Sequence, residues 1–135
     1  MINAEDLREE TFLSFDRIIL GVPTWFDGEL PNYWDEFVPA LEDLDLHGKK
    51  IALFGLGDQD TYPDSFADGV GMLYAKIKDK SSIVGKWPKN GYHFHESEAL
   101  RNDAFVGLII DQENQSAKTR ERLEKWVEML KKEFV

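Results

Sequence analysis

Two large aromatic residues sit in this sequence where a flat ligand could be gripped between them. Pro23-Thr24-Trp25-Phe26-Asp27-Gly28-Glu29-Leu30 follows the apolar run Ile18-Ile19-Leu20-Gly21-Val22. Phe54-Gly55-Leu56-Gly57-Asp58-Gln59-Asp60-Thr61-Tyr62 follows a second run, Ile51-Ala52-Leu53-Phe54. Each run reads as a buried strand ending in a loop that carries one large aromatic, Trp25 or Tyr62. In an open α/β sheet, ligands bind beyond the carboxyl ends of the strands. Two rings presented there can sandwich a planar ring system and gain stacking energy from it. Taken singly, Trp25 or Tyr62 reads equally well as a packing residue; the pair in these two contexts points to a ligand. Trp34, Trp87 and Trp126 read as framework. Other chemistry finds less support. His93-x-His95-Glu96 offers alternate ligands on an extended stretch, but no third or fourth ligand follows at metal-site spacing, so a solvated loop is expected. No Ser-His-Asp or Cys-His set can be assembled, and the chain has no cysteine.

The elements that must position these loops alternate between strand and helix patterns, which implies βαβ units and a parallel sheet. Asn3 to Phe15 is polar, and Asp16-Arg17 leads into the strand Ile18–Val22. From Asn32, the residues Trp34, Phe37, Val38 and Leu41 recur at helical spacing, with Pro39 expected to end or bend that helix. A connector through His47-Gly48 leads to the strand Ile51–Phe54. Phe66, Val70, Leu73 and Ile77 form one helical stripe. Ser82–Trp87 and Phe105–Ile110 read as strand pieces, separated by a polar, turn-rich segment containing Asn90-Gly91. The last helix is expected over about Ser116 to Phe134, with Leu123, Trp126, Val127, Leu130 and Phe134 facing inward. Gly69 and Gly71 lie inside a predicted helix and read as helix–sheet packing. Ile18–Val22 is apolar on both faces, as an interior strand is, yet nothing in the sequence supplies its second neighbour. An exposed apolar edge of that kind invites pairing with another chain.

At 135 residues, with 42% hydrophobic and 31% charged content, the chain reads as one globular domain over residues 1–135. It holds no apolar stretch near the roughly 20 residues of a membrane span. Its start lacks the basic end and apolar run of a signal peptide, and cytoplasmic location is the expectation. The formal net charge is −10. Such a field repels phosphate backbones and anionic lipid and steers encounters with basic protein surfaces, so neither nucleic acid nor membrane is an expected partner.

The order of motifs then becomes specific. Gly21-Val22-Pro23-Thr24-Trp25, Gly28-Glu29-Leu30, Phe54-Gly55-Leu56-Gly57-Asp58-Gln59 with Tyr62, Asp68-Gly69-Val70-Gly71, Gly91-Tyr92, Ala99-Leu100-Arg101-Asn102, Phe105-Val106-Gly107-Leu108 and Glu113-Asn114-Gln115-Ser116 run in sequence across nearly the whole chain. From Asp16 to Phe134 this resembles a long-chain flavodoxin. The resemblance implies an α/β, flavodoxin-like doubly wound parallel sheet. It also implies that residues 86–104 are the insertion that splits the last strand of long-chain members. The family pattern begins with a strand, a phosphate-binding loop, a helix and a second strand that have no counterpart here. The fold expected is therefore an N-terminally truncated one, lacking the first strand and most of the second.

By that resemblance the chain would carry one electron at a time on FMN, as an electron-transfer protein rather than an enzyme. Trp25 and Tyr62 would cover the two faces of the flavin ring, and Thr24 would approach the flavin side chain. Backbone groups of Phe26, Leu56, Gly57 and Asp58 would meet the polar edge of the ring. The carboxylates Asp27, Glu29, Asp58 and Asp60 would disfavour the anionic reduced flavin. Two positions depart from the family pattern: Phe26 is bulky and resists positive φ, and Ser65 stands where Asn often contacts the ring. Without the phosphate loop, FMN should bind this chain weakly. The expected partners are redox proteins with basic docking surfaces, together with a homo-oligomer formed through Ile18–Val22. The competing expectation is a non-redox interaction module that pairs through the same exposed edge.

Overall fold

In the computed structural model, residues 1–24 and 29–135 are described, less the side chains of Tyr33, Asp35 and Glu36. Trp25, Phe26, Asp27 and Gly28 lie outside the described residues. The elements follow in the order α1 (Glu9–Leu13), β1 (Arg17–Val22), α2 (Asn32–Asp43), β2 (Lys50–Leu56), α3 (Asp68–Ile77), β3 (Ser82–Val84), β4 (Trp87–Pro88), β5 (Leu100–Arg101), β6 (Ala104–Phe105), β7 (Leu108–Ile110) and α4 (Gln112–Glu133).

The main sheet is parallel and centred on β2. β1 pairs along its whole length on one side, from Arg17↔Lys50 to Val22↔Gly55. On the other side two short strands lie end to end: β3 pairs with Lys50–Ala52 and β7 with Phe54–Leu56. Between them, β4, β6 and β5 form a small antiparallel sheet. The two expected strand pieces are therefore each divided. Trp87 leaves the main sheet for the small one after the left-handed turn at Gly85 (φ 78°), and Phe105 joins it there before Gly107 returns the chain to β2. Only glycine fits at 107, where a Cβ would come within 2.1 Å of the Leu53 carbonyl oxygen.

Helices cover both faces, as a parallel sheet requires. On one face α2 and α3 pack on each other and α3 packs on β1 and β2. Side-chain alternation along β2 assigns the faces. A Cβ at Gly55 would strike Val70 of α3, whereas Phe54 packs at 6.1 Å from Trp126 of α4 on the opposite face. On that second face Ile19 remains 49% exposed, so β1 has an apolar, uncovered side among the described residues.

Three helix expectations need correction. α2 runs through Pro39 to Asp43, because Pro39 lies on an exposed position where the missing N–H is not a buried loss. Phe66 precedes α3 rather than lying on it, since Ala67 takes a left-handed conformation (φ 56°) just before Asp68. α4 begins at Gln112, capped by Asp111, and Gln115 interrupts its regular geometry (φ −133°, ψ 38°), which is why helical periodicity points to Ser116. Its buried face carries Arg122, Trp126 and Leu130, with Phe134 half-buried, while Leu123 and Val127 are exposed. The glycines of α3 also divide their roles. Gly69 abuts the end of β1 at Val22, Pro23 and Thr24, but Gly71 abuts the backbone of Glu98 and Ala99 instead of the sheet.

Beneath the ends of β2 and β7 lies an aromatic layer in which Phe66, Tyr92, Phe94 and Phe105 pack with centroids 5.1–6.1 Å apart. Tyr92 fixes this layer to the sheet. Its hydroxyl accepts from Trp87 Nε1 (3.1 Å) and donates to the Ile109 carbonyl (2.5 Å). Burial pushes its pKa from 10.0 up to about 12. Replacing Tyr92 by Phe strands both partners and should lower the unfolding free energy by about 1–3 kcal/mol, read by urea denaturation. The sign of the pH effect follows from the raised value. The unfolded tyrosine ionises before the folded one, so wild-type stability should fall as pH rises from about 10 to 12, and Tyr92→Phe should fall less steeply there.

Candidate functional site

β1 and β2 are parallel and in register, so the loops that follow them emerge side by side at the same end of the sheet. Pro23 and Thr24 from the first loop, and Leu56, Gly57, Asp58 and Tyr62 from the second, line one concavity of ≈ 240 Å3. Of the residues expected from sequence, the structure brings Thr24, Leu56, Gly57, Asp58 and Tyr62 together there. Trp25 and Phe26 fall outside the described residues. His93 and His95 are exposed; His95 pairs with Asp64 at 2.8 Å, and no group of potential metal ligands forms among the described residues.

Each lining residue has a physical reason for its place. The Thr24 hydroxyl accepts from the Gly69 amide (3.1 Å), which ties the first loop to the start of α3. Gly57 cannot carry a side chain, because a Cβ would come within 2.6 Å of the Phe66 ring; its amide donates to the Ile110 carbonyl (3.0 Å). That amide is thus spent on the sheet. Tyr62 donates its backbone amide to the Asp58 carbonyl (2.9 Å), which closes a turn, while its ring stays 39% exposed at the cavity wall. An exposed large aromatic whose backbone is fixed is a preformed stacking surface.

The second loop is held from behind by a carboxylate that motif reading passed over. Asp111 is fully buried at the start of α4. It accepts from the Gln59 amide (3.0 Å), Gln59 Nε2 (2.7 Å), the Asn114 amide (2.9 Å) and Asn114 Nδ2 (3.0 and 3.1 Å). Gln59 in turn accepts from the His93 amide (2.5 Å), and Asn114 Nδ2 also reaches Asp58 Oδ1 (2.8 Å). One buried carboxylate therefore couples the loop, the helix start and the segment between β4 and β5. The signal available in the sequence was an Asp directly after an apolar strand and three residues before Asn, an N-cap pattern. Ser65, Ala67, Gln112 and Glu113 complete the cavity wall; Glu113 opened a family-like motif in the sequence without a role at the site, and nothing in the pattern marked Ala67 or Gln112.

Asp58 and Glu113 bring carboxyl groups to the cavity. Partial burial pushes the Asp58 pKa up, but hydrogen bonds from Asn114 and Thr61 outweigh that and hold it below the usual carboxylate range. A depressed folded pKa contributes stability above the unfolded value, and that contribution is lost as pH falls through the folded value. Asp68, at the start of α3, shows the opposite behaviour. Burial raises its pKa, and Glu98 and Glu96 add to the rise against a hydrogen bond from the Glu98 amide (2.8 Å).

The cavity suits a flat ring. It is an open slot with one exposed aromatic, Tyr62, and a glycine, Gly57, at which the Phe66 ring excludes a side chain. The flavodoxin family profile matches residues 1–126. The chain is 45% identical over 128 residues to flavodoxin 1 of Escherichia coli, which covers 93% of this chain and 73% of that protein. It is 43% identical over 134 residues to the flavodoxin of Helicobacter pylori, covering 99% of this chain and 81% of that one. Among solved structures, Fusobacterium nucleatum flavodoxin bound to flavin mononucleotide is similar, with a TM-score of 0.88 at 35% identity over 92% of this chain and 75% of that one.

Two outcomes test the site's internal wiring. Asp111→Ala should cost about 2–4 kcal/mol through the lost cap and stranded buried amides, with faster hydrogen exchange at Gln59 and Asn114. An unchanged exchange pattern would show that the loop does not depend on Asp111. Asn114→Ala removes the strongest hydrogen bond lowering Asp58, so Asp58 should titrate at higher pH when its carboxyl carbon is followed by NMR.

Proposed function

The chain belongs to the flavodoxin family, and from that premise we propose that it holds FMN at the carboxyl ends of β1 and β2 and serves as a low-potential one-electron carrier. Flavodoxins are electron-transfer proteins rather than enzymes. The observation that supports the reading best is the convergence of Thr24, Leu56, Gly57, Asp58 and Tyr62 on one slot built from two separate loops. FMN, when bound, supplies the redox chemistry. The chain's own residues bind and orient it. Tyr62 would offer its ring to one flavin face, and Trp25 would cover the other. Backbone groups of Phe26, Leu56, Gly57 and Asp58 would meet the polar edge of the ring. Thr24 stands toward the flavin side chain. Asp58, kept ionised by Asn114 and Thr61, sets a fixed negative charge beside the ring. Such a charge disfavours added negative charge on the flavin, by roughly 1 kcal/mol or more at close range in a partly dry site.

The partners that fit this surface are redox proteins with basic docking faces, because Asp58 and Glu113 line the slot within a chain of net charge −10. The second reading, an interaction module that pairs through β1, draws on the 49% exposure of Ile19 along that strand. It predicts a stable oligomer whose size is indifferent to flavin.

None of the four helices opens from a glycine-rich loop among the described residues, so the phosphate of FMN finds no dedicated cradle there. The ring should then carry most of the affinity, and FMN binding should be weak. An FMN titration of the chain, followed by quenching of flavin fluorescence, is expected to saturate, with riboflavin binding within about tenfold of FMN because few phosphate contacts, each worth roughly 1.5–3 kcal/mol, are made. Tyr62→Ala should weaken either ligand by about 2- to 12-fold, the loss of one stacking partner worth roughly 0.5–1.5 kcal/mol. No quenching at high micromolar FMN would overturn the carrier reading for this chain.

A further inference from the structure

α4 carries a second concavity that has no part in the ring site. It holds ≈ 350 Å3 between the Trp87–Gly91 turn and the Lys118, Arg122 and Lys125 side chains of the helix. Lys118 lies six residues beyond Gln112, roughly 9 Å along the helix axis from the wall of the ring slot.

Arg122 is only 7% exposed. Its guanidinium lies 4.0 Å from the centroid of the Tyr92 ring, which the hydrogen bonds to Trp87 and Ile109 hold still. Its Nη1 has no hydrogen-bond partner, and it forms no ion pair among the described residues. A cation–π contact offsets only part of what desolvating a guanidinium costs. Gly91, at φ 90°, leaves the space in front of it open. A Cβ there would stand 3.5 Å from Arg122 Nη2 and 3.8 Å from Lys118 Nζ, so two cationic nitrogens face one point. Lys118 also lacks an ion-pair partner among the described residues. Glu121, the one carboxylate on the rim, is engaged by Lys125 at 2.7 Å. In a chain of net charge −10, this groove therefore brings two cationic nitrogens toward one open volume, with the Glu121 carboxylate, whose pKa both cations help to lower, on its rim.

We propose that the groove between Gly91 and α4 binds a small phosphate-class oxyanion, held between Arg122 Nη2 and Lys118 Nζ. Two cations facing one point suit a dianion. The planar guanidinium, fixed on Tyr92, supplies directed donors and Lys118 a point charge. Glu121 competes with the anion for the same cations.

The test is a titration of the isotope-labelled full chain with inorganic phosphate at constant ionic strength, following the Gly91 amide and the Arg122 Nε–Hε group by NMR. Both should shift and saturate. Lys118→Gln, an exposed change that leaves the fold intact, should weaken phosphate by about fivefold, and Glu121→Gln should tighten it by a similar factor, each the effect of one screened charge at close range. Absence of saturating shifts at tens of millimolar phosphate would overturn the proposal. So would shifts confined to other residues, or an affinity that Lys118→Gln leaves unchanged.

Discussion

The carboxylate of Asp111 is the interaction on which the arrangement of the site depends. It is buried at the carboxyl end of β7, one residue beyond the last strand position, where the chain must turn into α4. An ionised carboxylate in such a place is tolerated only when donors surround it, and the donors it gathers come from Gln59 and Asn114. Because Gln59 follows Asp58 in the ring loop and Asn114 begins α4, satisfying one anion fixes a loop to a helix that are over fifty residues apart in sequence. Asn114 then passes the constraint to Asp58. The negative charge at the slot and the charge behind it share one donor side chain.

A second constraint is steric. At three glycines the backbone packs closely on its neighbours without an intervening Cβ. Gly57 lies against Phe66, Gly69 against the end of β1 and Gly107 against Leu53. Phe66 belongs to the aromatic layer with Tyr92, Phe94 and Phe105, so the floor of the slot rests on rings rather than on flexible aliphatic chains. Tyr92 extends that layer toward α4, where its far face meets Arg122. The ring slot and the cationic groove thus stand on the same rigid layer, approached from different sides. Their opposite charge keeps them distinct: one is rimmed by carboxylates, and the other holds the guanidinium that those carboxylates never reach.

Much of the fold and part of the site could be read from residue order. The apolar runs Ile18–Val22 and Ile51–Phe54, the loops after them and the stripe Val70, Leu73 and Ile77 have period and composition strong enough to specify parallel strands and a packed helix locally, and motif spacing carried the family. Tyr62 could be named as a large aromatic on a loop after a strand, whereas Thr24, Leu56, Gly57 and Asp58 could be named only through the family resemblance. What sequence misjudged depends on contacts between distant segments. α4 starts four residues early because Asp111 caps it, and its inward face carries Arg122 instead of Leu123 because Tyr92 offers a ring to a cation. Trp87 and Phe105 leave the main sheet because glycines at 85 and 107 turn the chain where a side chain would collide. The sequence by itself determined which segments are strands and helices and what chemistry their loops can bear, since those follow from local period and residue type. Only the tertiary structure decided which buried carboxylate anchors the slot, which amides are already spent and where two cations meet, since burial and proximity are properties of the packed chain.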